Sequence, residues 1–228
     1  MPKRKRSKEP MGPSALRYIR RQQALRRRRK PSLATKVKKL SQIVNKTFET
    51  KTKDILYDLA IGTGGSNQPV QFALTQGDGS DERVGNKVTL KSVTLDATYV
   101  RADNYNRMRM ILLQPLDGNE PVGLADVLKY NVYATHGNLV FSSPYTTRTT
   151  TDRRYKILMD TTFEMNSFKN YAIKKGKITY SKGGKVIHYD GTSVNPTSYN
   201  LQLLHISDSV AAPYPTAKLN IRFKYIDA

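Results

Sequence analysis

The sequence contains no cysteine, so it has no disulfide framework, no thiolate zinc site and no cysteine nucleophile. Any assembly of copies must therefore hold together without covalent cross-links. No apolar run reaches the roughly 18 residues that a membrane span needs, and the basic N-terminus lacks the apolar stretch of a signal peptide. We expect a protein that is made and used in solution inside a cell, with no membrane partner.

Chemical motifs are scarce too. The three histidines are too scattered in the sequence to predict a metal site: His136, His188 and His205. A lone histidine on a strand, such as His205, is far more often a core or interface residue than a catalytic base. The GTGG at residues 62–65 does not follow the common phosphate-binding patterns, and it predicts a turn.

One Gly-rich loop carries acids that could hold a hard cation such as calcium. Asp78, Asp81 and Glu82 lie close together there, but the twelve-residue calcium-loop pattern is missing. An ordinary solvated loop is therefore the favoured interpretation. We predict no catalytic residue, no cofactor and no metal site, and hence no enzyme.

Positive charge is abundant and unevenly distributed. The chain has 39 basic and 18 acidic residues, a net charge of +21, and its first 39 residues contain Glu9 as their single acid. The sixteen basic residues of that stretch are Lys3, Arg4, Lys5, Arg6, Lys8, Arg17, Arg20, Arg21, Arg26, Arg27, Arg28, Arg29, Lys30, Lys36, Lys38 and Lys39. They give the stretch +15 and leave 23 basic and 17 acidic residues, a net +6, for the rest. The excess is an arm whose partner must be a polyanion, and nucleic acid is favoured over an anionic membrane or an acidic protein.

The arm divides into a basic tip, an arginine segment and a helix. Residues 14–30 contain good helix formers, but like charges at three- and four-residue spacings disfavour an isolated helix, so we predict folding upon contact with a polyanion. Pro31 ends this segment, and Ser32 can cap the next. An amphipathic stripe then predicts a helix, at Leu33, Val37, Leu40 and Val44. This stripe could pack on the protein's own sheet or on other copies of the chain.

After residue 47 the apolar period changes to two, which predicts strands. We predict eight, at residues 48–61, 69–76, 87–101, 106–115, 154–163, 168–180, 199–207 and 216–226. The third changes parity, and a β-bulge near Lys91 and Ser92 would return its apolar side chains to one face. The fourth is apolar on both parities, with Leu112 on one and Ile111 on the other, and contact with a neighbouring copy would explain this.

These elements predict an all-β protein with one domain. Residues 116–152 form a long connection with one helical turn at residues 124–128, and such loops are usually functional or form interfaces. Eight antiparallel strands with long connections fit a two-sheet jelly roll. We therefore predict a basic, partly helical arm over residues 1–47 and a single eight-stranded antiparallel jelly roll over residues 48–228.

Three features carry a resemblance to a known family. They are the arm, the stretch QGDGSDERVGNKVTLKSV at residues 76–93 and the terminal strand KLNIRFKYI at residues 218–226. Together with the eight-stranded domain, they resemble the capsid proteins of the smallest icosahedral viruses. The likeness is to circovirus-like viruses with circular single-stranded DNA, whose shell domain is similar to that of satellite tobacco necrosis virus.

That resemblance implies a viral capsid protein that self-assembles into a small icosahedral (T=1) shell of about sixty copies and packages a single-stranded genome. Its first, third, sixth and eighth strands would form one sheet, and the other four the second. Single-stranded DNA is expected ahead of RNA, although satellite viruses package RNA. Sixty arms would bring about 900 positive charges, which match a large part of a genome of about one to two kilobases.

The arm also predicts a secondary role in nuclear import. KRKR at residues 3–6 and RRRRK at residues 26–30 resemble import signals. We therefore expect the host nuclear import machinery as a partner, with the protein in the virion and, during assembly, in the host nucleus.

Two other classes of protein match parts of this pattern. A basic-tailed cellular nucleic-acid-binding protein, of the ribosomal or chromatin type, is the main alternative, although it has no need for eight long strands. A cupin-type enzyme shares the fold, but it needs a cluster of histidine and carboxylate metal ligands that the sequence does not offer.

Overall fold

The computed structural model describes residues 32–37, 39–40, 50–116, 122–146, 154–181 and 183–227. The chain falls into two compact units, Met1–Thr47 and Phe48–Ala228. Within the described residues, no helix is long and apolar enough to cross a membrane.

The first unit contains the predicted helix, here named the arm helix. It covers residues 33–37 and 39–40, and Ser32 caps it because its side-chain oxygen accepts a hydrogen bond from the Thr35 amide at 3.2 Å. This confirms the predicted helix start. Val44, the last residue of the predicted stripe, lies outside the described residues.

The second unit is mostly β. Its strands are β1 (Thr50–Ala60), β2 (Ser66–Gln71), β3 (Lys87–Val100), β4 (Tyr105–Pro115), β5 (Tyr155–Asn166), β6 (Tyr171–Thr179), β7 (Lys185–His188), β8 (Asn200–Ser207) and β9 (Thr216–Asp227). The connection between β4 and β5 contains the helices α1 (Leu124–Val127) and α2 (Tyr133–His136) and the 3₁₀ helix Gly137–Ser142. The predicted helical turn at residues 124–128 is confirmed.

The strands form two antiparallel sheets. Sheet 1 has the order β1-β9-β3, with β6 and β7 both paired to the other side of β3, and sheet 2 has the order β2-β8-β4-β5. This arrangement is the predicted jelly roll, and the predicted sheet membership of the strands is confirmed.

The described residues contain nine strands, one more than the eight predicted. β7 pairs with the first part of β3 and β6 with the second, so together they form one broken edge. At the break, Gly184 has φ +78°, and a Cβ there would lie 2.8 Å from the Leu90 carbonyl oxygen. The four-residue β7 is too short for its alternation to stand out in the sequence.

The bulge predicted in β3 is confirmed. The pairing of β3 with β9 shifts register between Leu90 and Ser92. As a result, Leu90 and Val93 both lie buried in the core, although their sequence parity differs.

The second strand begins and ends earlier than predicted, at Ser66–Gln71 instead of residues 69–76. Phe72 and Leu74 continue the alternation and are buried, but they leave the ladder, and the Leu74 amide donates to the Val194 carbonyl in a loop. Alternation in this stretch therefore marks burial without strand pairing.

The core lies between the two sheets. Its centre is aromatic: the rings of Phe72 and Phe223 stack at 4.5 Å, and those of Tyr99 and Phe163 lie 4.7 Å apart. Aromatic pairs of this kind add to the free energy gained from burying apolar area.

β4 is buried on both faces, but the predicted reason is wrong. Ile111 and Leu113, on the face away from the core, pack against Val127 and Leu128 of the chain's own β4–β5 connection. Residues 122–146 of this connection, here named the cover segment, thus occupy the position that we assigned to a neighbouring copy. The sequence could not show this, because the segment has no strand alternation that would place it on the sheet.

Candidate nucleic-acid interface

The arm was predicted to bind nucleic acid, and the structure describes two of its sixteen predicted residues. Lys36 and Lys39 are exposed and lie three positions apart on the arm helix, on neighbouring sites of its surface. The other fourteen lie outside the described residues: Lys3, Arg4, Lys5, Arg6, Lys8, Arg17, Arg20, Arg21, Arg26, Arg27, Arg28, Arg29, Lys30 and Lys38. Their binding role, and the folding of residues 14–30, stay predictions.

The arm helix also presents apolar side chains. Leu33, Val37 and Leu40 are all exposed. With Lys36 and Lys39 they give the helix an apolar and a basic side, as the stripe predicted. Such a helix can contact an apolar surface and a polyanion at once.

His205 is a core residue, as predicted. Its Nε2 lies 2.9 Å from the Tyr99 hydroxyl oxygen and its Nδ1 lies 3.4 Å from the Ser66 hydroxyl oxygen. Burial lowers its pKa to about 3. The imidazole is therefore neutral at physiological pH, and no solvent reaches it for proton transfer.

The acidic loop between β2 and β3 uses its carboxylates within the loop and against β1. Glu82 accepts a hydrogen bond from the Gly79 amide at 2.8 Å, and Asp81 pairs with Lys53 at 2.6 Å. The hydrogen bond from Lys53 lowers the pKa of Asp81. In the described part of the chain, no three potential ligands come together to hold a metal ion.

Arg83, in the same loop, is a buried arginine without an acidic partner among the described residues. Its guanidinium donates to the carbonyl oxygens of Gly85, Gly191 and Ser193 at 2.6, 2.7 and 2.8 Å, and it lies over the ring of Tyr189 at 4.5 Å. It thus ties the β2–β3 loop to the β7–β8 loop. Nothing in the sequence marked it, because arginine is by default a surface residue.

A second buried arginine fastens the cover segment. Arg109 on β4 donates two hydrogen bonds to Asp160 on β5, at 3.0 and 2.7 Å, and one each to the carbonyls of Val140 and Ser143, at 2.9 and 3.0 Å. Tyr145 donates to the same carboxylate at 2.5 Å. Burial, assisted by Asp160, raises the pKa of Tyr145 to about 12. The hydrogen-bonded group joins two strands to three residues of the cover segment, Val140, Ser143 and Tyr145.

The outer face of sheet 1 is charged but largely balanced. Asp54 on β1 accepts two hydrogen bonds from Arg222 on β9, at 2.7 and 2.8 Å, and these lower the pKa of the carboxyl. Two longer ion pairs join Lys218 to Asp58 at 3.9 Å and Lys175 to Asp96 at 3.7 Å. Exposed pairs of this kind contribute little stability, but they cancel the local charge.

The charge of the shell unit has one further concentration that our sequence analysis missed. Six lysines, and no acid, lie between Glu164 and Asp190: Lys169, Lys174, Lys175, Lys177, Lys182 and Lys185. Their number equals the whole net +6 of the chain after the arm. Counting the net charge in successive segments of residues 48–228, instead of only the total, would have found these lysines.

Comparison with known families decides the class of protein. The family of the satellite tobacco necrosis virus coat protein matches residues 19–228. The chain belongs to this coat protein family. It is therefore a capsid protein, a structural component of a virion, and membership of the family implies an oligomeric shell and a packaged nucleic acid. This decides against the ribosomal or chromatin alternative and indicates a structural rather than an enzymatic role.

Solved structures similar to this coat protein include other virus proteins. A chain of desmodium yellow mottle tymovirus is 13% identical, with a TM-score of 0.35, over 78% of this chain and 89% of that chain. One from turnip yellow mosaic virus is 11% identical, with a TM-score of 0.34, over 79% and 81%. These scores are too low to add to the family assignment. Among curated proteins, no sequence match is found.

Proposed function

We propose that this coat protein self-assembles into a small icosahedral shell and packages single-stranded nucleic acid through its basic arm. The observation that carries the proposal is the arm itself: in a member of a coat protein family, sixteen basic residues and one acid are concentrated in the first 39 positions. A stretch of this density repels copies of itself, and a polyanion removes that repulsion.

The mechanism follows from the chemistry of the arm. Lysine and arginine contact phosphates without reading base sequence, and they release the counterions that the phosphates held. Binding is therefore general in sequence and strongly dependent on salt. Once the arms are neutralised, apolar and polar contacts between shell domains close the particle, and the arm helix connects the packaged strand to β1.

The type of nucleic acid and the import role depend on the circovirus-like part of the resemblance. The family match supports the satellite-virus part, so single-stranded DNA ahead of RNA, about sixty copies in a T=1 shell, and passage through the host nucleus remain proposals. Digestion of the strand extracted from particles with DNase and with RNase distinguishes the two nucleic acids.

Removal of residues 1–30 tests the role of the arm. This deletion ends before Pro31, so it leaves Ser32 and the arm helix in place. We expect the variant to keep the circular dichroism spectrum of the β domain and to lose packaged nucleic acid, read as a fall in the ratio of absorbance at about 260 and 280 nm, because the main phosphate contacts are gone.

The control for this deletion is a variant with the same 30 residues replaced by a Gly/Ser segment of equal length, which keeps the chain length and removes the charge. If either variant still packages a full complement of nucleic acid, the arm is not the packaging element. If the complete protein forms no closed particles in electron micrographs, the proposal of self-assembly is wrong.

A further inference from the structure

Five of the six lysines between Glu164 and Asp190 lie along one edge of the jelly roll. Five belong to the described residues, on β6, on β7 and in the β5–β6 turn, and they are here named the lysine edge: Lys169, Lys174, Lys175, Lys177 and Lys185. Among these five, Lys175 alone pairs with a described acid, Asp96 at 3.7 Å. The lysine edge therefore differs from the rest of the sheet face, where acids balance the bases.

The lysine edge lies beside exposed aromatic and apolar side chains. Phe168, at the tip of the β5–β6 turn, is 98% exposed, and Tyr171 and Ile173 on β6 are 57% and 54% exposed. Alternation along β6 places Tyr171, Ile173, Lys175 and Lys177 in one row on the outer face of sheet 1. At about 3.3 Å per residue, the row is about 20 Å long, and Phe168 lies in the turn just before its first residue.

Charges of like sign crowd the flank of this row. Burial, and then the charge of Lys169, lowers the pKa of Lys174, whose Nζ lies 4.6 Å from the centre of the Phe163 ring. Burial, and then Lys156, lowers the pKa of Lys185. Burial is the larger cause for both lysines and the neighbouring cations add to it, so a bound anion would relieve the second part of this cost.

We propose that the lysine edge, with Phe168 and Tyr171, is a second contact for single-stranded nucleic acid, separate from the arm. Cationic side chains that follow a phosphate backbone, beside aromatic rings on which bases stack, are the components of a sequence-tolerant single-strand site. The row is long enough for several nucleotides of a single strand. The inference rests on the proposed function, because it takes the packaged strand as the ligand.

Protection of an edge strand is the competing explanation for the lysines. Lysine on an edge strand prevents pairing with other sheets, and β6 and β7 form such an edge. This role, however, gives no reason for Phe168, Tyr171 and Ile173, because exposed apolar groups promote the association that the lysines would prevent. A sulfated polysaccharide fits the lysines equally well, but it has no bases to stack on the aromatic rings.

The first test maps contacts on the complete protein. Oligothymidylate that carries 5-bromodeoxyuridine is irradiated with dissociated subunits, and the cross-linked peptides are identified by mass spectrometry. We expect cross-links at Phe168 or Tyr171 in addition to those in the arm. Cross-links confined to the arm would overturn this inference and leave the proposed packaging function standing, whereas no binding at all would count against the packaging function itself.

The second test compares two variants with equal loss of charge. The edge variant is K169Q/K175Q/K177Q, and the control is K53Q/K129Q/K218Q, whose lysines lie elsewhere on the shell domain. Removal of three phosphate contacts should reduce the slope of log affinity against log salt by about 2, at about 0.7 per contact. We expect this reduction in the edge variant alone. If the slope of log affinity against log salt is the same in the two variants and the edge variant aggregates, the lysines protect the edge strand and do not bind nucleic acid.

The third test separates nucleic acid from polysaccharide. Phe168→Ala removes a stacking surface without disturbing the fold, because the side chain is 98% exposed. It should weaken oligothymidylate binding by about fivefold or more and leave heparin binding unchanged. If oligothymidylate binding does not change, or if heparin binding falls equally, nucleic acid is the wrong ligand for this edge.

Discussion

At the centre of the shell domain, two hydroxyl groups are the hydrogen-bond partners of His205, those of Tyr99 and Ser66. Neither can stabilise an imidazolium as a carboxylate would. The side chain is fully buried, and its pKa is lowered to about 3. The folded domain thus excludes a proton that the unfolded chain accepts at about pH 6.5.

Stability should therefore depend on pH through His205. Between about pH 6.5 and pH 3 the unfolded state binds one more proton than the folded state, so the free energy of unfolding falls as the pH falls. From pH 7 to pH 4 the loss due to this residue is about 3 kcal/mol, at 1.36 kcal/mol per pH unit. Urea unfolding of dissociated subunits at several pH values measures it.

The control is His205→Gln, which keeps an amide near the Tyr99 hydroxyl but cannot titrate. Carboxylates titrate in both proteins, so the difference between the two curves isolates the histidine. We expect the curves to converge as the pH falls toward 4. Parallel curves would mean that the imidazole is not excluded from protonation.

The sequence predicted the position of a side chain correctly where that residue type lay in its usual environment, core or surface. His205 could be placed in the core because it shares the parity of Leu201 and Leu203 on its strand. Arg83 and Arg109 could not, because a buried guanidinium depends on carbonyl groups that distant loops supply, and the sequence does not show which loops meet.

Among the elements, the cover segment is held in place by a few side chains. It covers the face of sheet 2 away from the core with two apolar clusters, one around Val127 and Leu128 and one around Phe141. Arg109, which shares the face of β4 with Ile111, fastens the segment by donating hydrogen bonds to the carbonyls of Val140 and Ser143. The apolar contacts and the hydrogen bonds of Arg109 together hold the segment against sheet 2, as strand pairing would hold a strand.

Arg109→Met should release this segment. The substitution keeps the length of the side chain but leaves two carbonyl oxygens without their donor and removes the positive charge that pairs with Asp160, which keeps the hydrogen bond from Tyr145. We therefore expect a loss of about 3 kcal/mol or more in the free energy of unfolding. Trypsin should then cut the cover segment at Lys129 faster than in the unchanged protein. Urea unfolding and timed proteolysis measure the two effects.

Arg107→Met is the matched control, two residues away on the same strand. Arg107 is partly exposed, pairs with the exposed Glu164 at 3.4 Å and lies over the ring of Phe141 in the cover segment at 5.1 Å, so its loss should cost about 1 kcal/mol. Similar losses in both variants would show that the group at Arg109 does not hold the cover segment in place.

Alternation predicted the elements well where strands are long and ladders regular. It placed β3 and β9 within a residue or two, and the change of parity at Lys91 and Ser92 correctly predicted the bulge. It failed for β7, which has four residues, and for Phe72, which is buried in an extended stretch outside the sheet. Alternation of apolar residues indicates which side chains are buried, and burial need not coincide with strand pairing. It identifies a paired strand only where the strand is long enough to show several repeats.

At the scale of the whole molecule, acidic and basic residues balance each other in some regions, and basic residues are in excess in others. The exposed face of β1 and β9 pairs acids with bases, whereas the arm has sixteen basic residues to one acid, and no acid lies in the sequence around the lysine edge between Glu164 and Asp190. Between subunits that share a closed shell, unbalanced charge of one sign is repulsive at short range. A packaged polyanion is therefore part of the energy balance of the proposed particle, and its quantity should follow the charge that it neutralises.

This relation gives a prediction for particle content. Replacement of Arg26, Arg27, Arg28 and Arg29 by Gln removes four of the arm's net fifteen charges, so packaged nucleotides should fall by about a quarter, at about one phosphate charge per nucleotide. Phosphate analysis and protein mass per particle give the ratio. The control K53Q/K129Q/K218Q removes three charges outside the arm and should change the ratio little. If the ratio is unchanged in the arginine variant, the number of packaged nucleotides is limited by the interior volume of the shell and is not set by the charge of the arm.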